Sequence, residues 1–425
     1  MVNKLSAIGT PSSLRRVHRG LALRGVFDSP GVSRGDLAQR LGLSQMAIGR
    51  IVRELEAAGL VAEVSHGVSA QGRGRPASAL ELRAEGAYVA GVVLSAYAQE
   101  LALVDLRGRL MASRPVAIGD IRDGEAAVSR VCADIADLVA DLGLDPVRLA
   151  GAGFSVAVNV DPARGLVLGG GYLGWQPFDL RTRAAERLGV PVSVERVADT
   201  LVRAETFCGC AADARAVVLI HAATTLGMSV YFDGTVMRGA GFHAGRIGHF
   251  PMRATRLVCS CGQSNCLNCL ASGWSVLARL GAADGDKYQP SQVGAYARVI
   301  HSLIEPDSDD RAHLARVRRL LRDAGSELAR ALAYVDLSFD PDLIVLAGSL
   351  ARNESYFAGV SRGLQQGGAV GADLSRKTTR STMAPVRAAA LVALLDHVFS
   401  PTLELDAMNS PACSLEGPER ATTHD

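Results

Sequence analysis

No stretch of this 425-residue chain approaches the roughly 18 uninterrupted apolar residues that a membrane-spanning helix requires. Met1 to Thr10 also lacks the basic-then-apolar order of a secretion signal. Neither membrane contact nor export is expected, so the chain reads as cytoplasmic. A disulfide framework is missing too. Of eight cysteines, six crowd into Cys208/Cys210 and Cys259/Cys261/Cys266/Cys269, which suits metal chemistry in a reducing compartment. Cys132 and Cys413 stand alone. The Cys208/Cys210 pair, with no candidate ligands near it in sequence, reads as core filling. Nor is there a strong net charge, the formal total being +2. With 48% hydrophobic and 21% charged residues, the composition excludes a disordered or fibrous chain, and the length allows two or three domains with their own cores.

The small net charge hides an asymmetry. Residues 1–80 carry 11 Lys and Arg against 5 Asp and Glu, a local +6 on a body of −4. A basic module on a mildly acidic body suits a polyanion at one end, although a solvated helix surface can look the same. Three helices are expected here. Leu14, Val17, Leu21 and Val26 give the first its apolar face, and it ends near Asp28-Ser-Pro-Gly31. Ser33 stands as an N-cap with Asp36 as capping-box partner, Leu37 and Leu41 are the buried face of a short second helix, and Gly42 breaks it. Ser44 caps a third helix whose Ile48, Ile51, Val52 and Leu55 share one face, leaving Gln45, Met46, Gly49, Arg50 and Arg53 on the other.

A short helix, a glycine turn and a capped helix with a polar, basic front is the arrangement that lays a recognition helix in the major groove of DNA. Ser44, Gln45 and Met46 lead that helix. Gln45 and Arg50 are placed to read base edges, and Arg53, a turn later, to hold phosphate. An ordinary three-helix bundle shares the apolar spacing. The next segment favours DNA: Leu60 to Val64 and Ala77 to Leu82 read as two strands around a Gly/Ser-rich loop, a wing ending in Gly72-Arg-Gly-Arg-Pro76. Arg73 and Arg75 flank a glycine there and suit a narrow minor groove, with a plain basic linker as the alternative.

From Tyr88 onward apolar strands alternate with helices: Tyr88 to Leu94, a hairpin turning at Arg107-Gly108, then Gly151 to Val158, Val190 to Val194, Ala216 to His221 and Leu343 to Gly348. That is an α/β pattern. The boundaries read as 1–82 for the winged helix-turn-helix, 83–400 for the α/β body and 401–425 for a loose polar tail. The sharpest chemical signal is His249 with Cys259, Cys261 and Cys266, three thiolates and an imidazole within 18 residues. Those ligands satisfy a tetrahedral structural zinc and leave no open position for a catalytic water; inert buried thiols are the alternative. Cys269 is a spare candidate.

With these pieces in place, residues 12–399 resemble the ROK family, named for repressor, open reading frame and kinase. Gly245-Arg-Ile-Gly-His249 and Cys259-Ser-Cys-Gly-Gln-Ser-Asn-Cys-Leu-Asn268 are similar to the family's Glu-x-Gly-His and Cys-x-Cys-Gly-x-x-Gly-Cys-Leu-Glu signature. Asp161-Pro162, Leu173-Gly-Trp175 and Arg187 to Val192 add to the likeness. The resemblance implies a two-lobed, actin-like, ribonuclease H-like sugar-kinase body behind the winged helix. It also implies a regulator, most simply a repressor, of carbohydrate genes that works as a homodimer or homotetramer on a double-stranded operator.

The departures matter as much. Where family kinases carry Asp-x-Gly-Gly-Thr for ATP, this chain has Val93, Leu94, Ser95, Ala96 and Tyr97. Where they carry an Asn-Asp pair with the catalytic base, it has Arg196-Val197, and valine takes no proton. The second phosphate loop is reduced to Thr224-Thr-Leu-Gly227. No kinase activity is expected; a sugar kinase with a fused DNA-binding domain is the rival reading, and a zinc sensor a second. The resemblance places a small effector at Tyr172, Arg196, Arg246, His249 and Asn268. Arginines for the family's neutral and acidic ligands favour an anionic sugar derivative. Equally, those arginines pair with local acids such as Glu195 or Asp199.

Overall fold

The computed structural model describes residues 11–65, 78–95, 98–170, 173–304, 310–401, 403 and 405. The N-terminal unit is α1 (Pro11–Asp28), β1 (Val32–Ser33), α2 (Arg34–Leu41), α3 (Gln45–Ala57), β2 (Val61–Ser65) and β3 (Ser78–Leu82). Local chemistry sets its corners. The Ser33 hydroxyl accepts from the Asp36 N–H and donates back to the Asp36 carboxylate, and Gly42 ends α2 at φ 64°, where a side chain would be strained. The two expected strands are present. A third, β1, is too short to leave a pattern in sequence; it pairs with β3 through Val32 and Leu80. One expectation is corrected in part: Val26 is buried as expected, but Leu14 is exposed, Val17 and Leu21 are half-buried, and Ala22 and Leu23 are buried in their place.

The body contains β4 (Tyr88–Leu94), β5 (Gln99–Asp105), β6 (Leu110–Pro115), α4 (Gly124–Asp141), β7 (Leu149–Val156), β8 (Asn159–Asp161), β9 (Leu166–Gly169), β10 (Phe178–Asp179), α5 (Leu180–Leu188), β11 (Val192–Arg196) and α6 (Val197–Cys208). A second set follows: β12 (Ala216–Ala222), β13 (Leu226–Phe232), β14 (Thr235–Val236), α7 (Asn268–Ala271), α8 (Gly273–Leu280), α9 (Val293–Ile304), α10 (Arg311–Phe339), β15 (Leu343–Ala347), α11 (Ser349–Arg352), α12 (Glu354–Gln365), α13 (Gly368–Lys377), β16 (Thr378–Arg380) and α14 (Pro385–Ala393). Two five-stranded sheets result, ordered β11-β7-β4-β5-β6 and β14-β13-β12-β15-β16. In each, the first strand pairs antiparallel with the next and parallel with a later one, so the two lobes repeat one topology.

Helix α14 carries the chain back to the first lobe and lies flat on its sheet. A Cβ at Gly153 would stand 2.2 Å from the Ala389 carbonyl oxygen, so the helix can approach only a bare backbone there. The apolar core of the winged helix is continuous with that lobe: Leu23, Ile48, Val89, Phe207, Leu391 and Phe399 belong to one buried cluster. The expected loose tail needs correction at its start, because Leu403 and Leu405 are buried in the same cluster. Residues 406–425 lie outside the described residues. The core-filling reading of Cys208 and Cys210 is also wrong: both are exposed, at the open end of α6.

Candidate nucleic-acid interface, metal centre and cleft

Helix α3 presents its reading face to solvent. Ser44 caps it by accepting from the Ala47 N–H at 3.2 Å, which uses one lone pair of that oxygen. Gln45, Met46, Arg50 and Arg53 are all exposed, Met46 at 84%. Arg53 donates to the Gly49 carbonyl of its own helix. Arg50 reaches Glu54 at 3.5 Å, while Arg15 and Arg19 of α1 clamp the same carboxylate. This tie of α1 to α3 has no local spacing in sequence and was not foreseen. Arg73 and Arg75 lie outside the described residues.

The sulfurs of Cys259, Cys261 and Cys266 and a ring nitrogen of His249 all lie within 4.8 Å of one another. Nδ1 of His249 is 3.5 Å from the Cys259 Sγ and 3.9 Å from the Cys266 Sγ, and the Cys261 and Cys266 sulfurs are 3.4 Å apart. A tetrahedral zinc with Zn–S near 2.3 Å and Zn–N near 2.0 Å needs ligand separations of roughly 3.5–3.8 Å. The donor set therefore fits that ion in type and size. The backbone builds the site: Gly262, at φ +86°, turns the chain so that its N–H bonds the Cys259 carbonyl, and Pro251 bridges Cys266 to bring His249 alongside. A hydrogen bond from the Cys269 thiol, with the neighbouring His249, draws the Cys259 thiol well below its ordinary range despite burial; burial pushes the Cys266 thiol up. Cys269 itself lies outside the four-ligand cluster.

The five residues expected at the effector pocket separate on inspection. Tyr172 lies outside the described residues. The Arg196 guanidinium is fastened, bidentate, to Asp199 at 2.8 and 3.0 Å, and gives its third edge to the Ala244 carbonyl of the second lobe at 2.9 Å. Asp199 is itself buried and accepts from Ser229 at 2.6 Å. Asn268 is buried, its side-chain oxygen holding the Leu226 N–H. His249 turns Nδ1 to the cysteines. Arg246 remains exposed, touching the His243 ring at 2.8 Å and, among the described residues, pairing with no carboxylate. Beside Arg196 runs a second buried network that sequence spacing did not suggest: Glu195 takes Arg203 and Arg238, and Arg203 also takes Asp396. Burial raises the Glu195 carboxyl against the pull of those two arginines.

A winged helix mounted on two lobes of repeated topology, with a zinc-type cluster at the second lobe, defines the architecture of a DNA-binding regulator built on a sugar-kinase body. The chain belongs to the ROK family: that family's profile matches residues 91–382, and a winged helix-turn-helix DNA-binding profile matches residues 27–62. It is 24% identical over 362 residues to a putative xylose repressor of Caldicellulosiruptor sp. (strain Rt8B.4), covering 83% of this chain and 86% of that one. A crystal structure of a ROK family transcriptional regulator, homologous to the E. coli MLC protein, superposes with a TM-score of 0.73 at 21% identity over 94% of this chain and all of that one. A ROK family glucokinase from Streptomyces griseus, solved with glucose and AMPPNP, superposes with a TM-score of 0.56 at 20% identity over 73% of this chain and all of that one. Among the described residues, no helix is long and apolar enough to cross a membrane.

Proposed function

We propose that this protein is a sequence-specific repressor of carbohydrate genes that binds a double-stranded operator as a homodimer, answers to a small anionic sugar derivative, and phosphorylates nothing. The single observation that carries the DNA reading is the bare face of α3, where Gln45, Met46 and Arg50 stand exposed in front of a buried Ile48, Ile51, Val52 and Leu55. Arg50 and Gln45 read base edges and Arg53 holds phosphate, with Arg73 and Arg75 of the wing entering the minor groove. His249, Cys259, Cys261 and Cys266 hold a structural zinc, which when bound cross-links the loop at the second lobe. A reader of chromosomal operators works in the cytoplasm.

The loss of kinase chemistry is supported where the catalytic base would stand. Val197 stands where a base is needed, and of the neighbouring carboxylates Asp199 is held by Arg196 and Ser229 and Glu195 by Arg203 and Arg238, both buried. For the effector, the charge balance narrows the choice. Of the two arginines, Arg196 is neutralised by Asp199, whereas Arg246, among the described residues, pairs with no carboxylate, and it is Arg246 that holds a carboxylate or phosphate of the ligand. Selection from random-sequence duplex DNA tests the main reading: one enriched motif with two half-sites is expected, and no enrichment at low salt would end it. Calorimetry against neutral and phosphorylated sugars tests the effector. Wild type but not Arg246→Ala should bind an anion, and release of ADP in a coupled assay with any sugar would restore the kinase reading.

A further inference from the structure

We propose that α6 is the lever that carries a change in the cleft to the DNA-reading end, with Phe207 and Phe27 as its joint; the proposal rests on the DNA reading given above. Twelve residues make α6 about 18 Å long. Its front and its last turn are fastened to the second lobe, its middle to the first, and its end to α1. At its front, Asp199 accepts from Ser229 of the second lobe's sheet at 2.6 Å, and its N-cap Arg196 donates to the Ala244 carbonyl of that lobe at 2.9 Å. In its middle, Arg203 binds Glu195 at the end of β11 and Asp396 just beyond α14, both of the first lobe. In its last turn, the buried Glu205 takes the Ser381 hydroxyl.

At its end, Phe207 stacks on Phe27 of α1 with ring centroids 4.9 Å apart and planes 12° from parallel. Arg24 of α1 covers the Phe207 ring at 4.4 Å and donates to the Phe207 carbonyl at 3.3 Å. Phe399 closes the same apolar nest against both rings. A second link between reader and body, from Arg148 to the carbonyls of Ala58 and Gly86, joins the first lobe alone. Buried, directional charge pairs do not slide by small amounts; they hold or they break. A ligand that parts Ser229 and the Ala244 carbonyl from the front of α6 therefore changes the seat of α1, and α1 carries α3 through the Arg15, Arg19 and Glu54 clamp.

A double-mutant cycle tests this without any effector. The probe is the duplex that wild-type protein enriches from random DNA, and the proteins are wild type, Ser229→Ala at the front, Phe207→Leu at the joint, and both together. Ser229→Ala should shift the Kd five-fold or more in the wild-type background and less than two-fold when Phe207→Leu is present. Equal shifts in both backgrounds, or no shift in either, overturn the lever. If Phe207→Leu does not fold, Arg24→Gln replaces it. Hydrogen exchange of α1 amides reads the same cycle without DNA: Ser229→Ala should change exchange there by several-fold only while the joint is intact. A chain that enriches no DNA yet keeps this exchange coupling would fail the DNA reading and keep the lever; unchanged exchange in α1 would sink the lever whatever the DNA does.

Discussion

Three sulfurs and one imidazole nitrogen within 4.8 Å of one another crowd polar atoms that repel once the thiols ionise. A bound zinc removes that conflict and converts binding energy into folding energy. Cys266→Ser should therefore reduce zinc from one per chain toward none, by elemental analysis of dialysed protein, and cost on the order of 4 kcal/mol in denaturant unfolding. Cys208→Ser, at an exposed thiol outside the cluster, should leave both unchanged. The four-residue cluster was legible in sequence because it lies within one loop-rich stretch. Cys208 and Cys210 were misread because their spacing is silent about which side of α6 meets solvent.

Within single elements, the two arginines of α3 should behave differently. Arg50, on the exposed face, is expected to contribute about 1–3 kcal/mol to discrimination at one base pair, so Arg50→Ala should relax the selected motif at one position of each half-site. Arg53→Ala should weaken all sequences alike and flatten the dependence of log Kd on log salt by about one unit per site. Matched loss of specificity in both variants would contradict the assignment. The turn that follows α14 carries another consequence. His397 is buried against Gly151, its Nε2 has no hydrogen-bond partner among the described residues, and burial brings its pKa down to about 4. Between pH 6.5 and 4 the unfolded chain takes up a proton that the folded chain refuses, so stability falls with falling pH through that window, by up to ~3 kcal/mol. Melts across pH 4–7 should show a shallower acid loss for His397→Leu than for wild type.

Across the whole molecule, the continuous apolar cluster joins the winged helix to the first lobe, and through α6 to Val217, Leu219 and Val345 of the second lobe's sheet, so the winged helix is not a bead on a linker. Calorimetry should give no separate transition for the winged helix, and Phe399→Ala should destabilise the protein by about 3 kcal/mol while dragging the winged helix with it. An early, separate melting of residues in α1 to α3 by residue-resolved exchange would contradict that unity. The same continuity explains why the exposed Leu14 misled a local reading: the apolar face of α1 is divided between its own unit and the body, and the share near its end is the one that is covered.

What the amino-acid order alone determined was everything carried by short spacing: the caps at Ser33 and Ser44, the left-handed glycine at position 42, the four-residue face of α3, the strand alternation of the body and the ligand quartet. Such features rest on hydrogen bonds and faces spanning a few residues. The reach of Arg196 to Asp199 lay within that range, and the sequence left it undecided only because the same arginine could face a ligand. Ser229 on Asp199, Arg203 between Glu195 and Asp396, and Phe207 against Phe27 join residues from 8 to 193 positions apart. Which of many possible partners each would meet was decided by how two repeated sheets and a reader helix close around α6, since burial of charge and ring alike is a property of the packed whole.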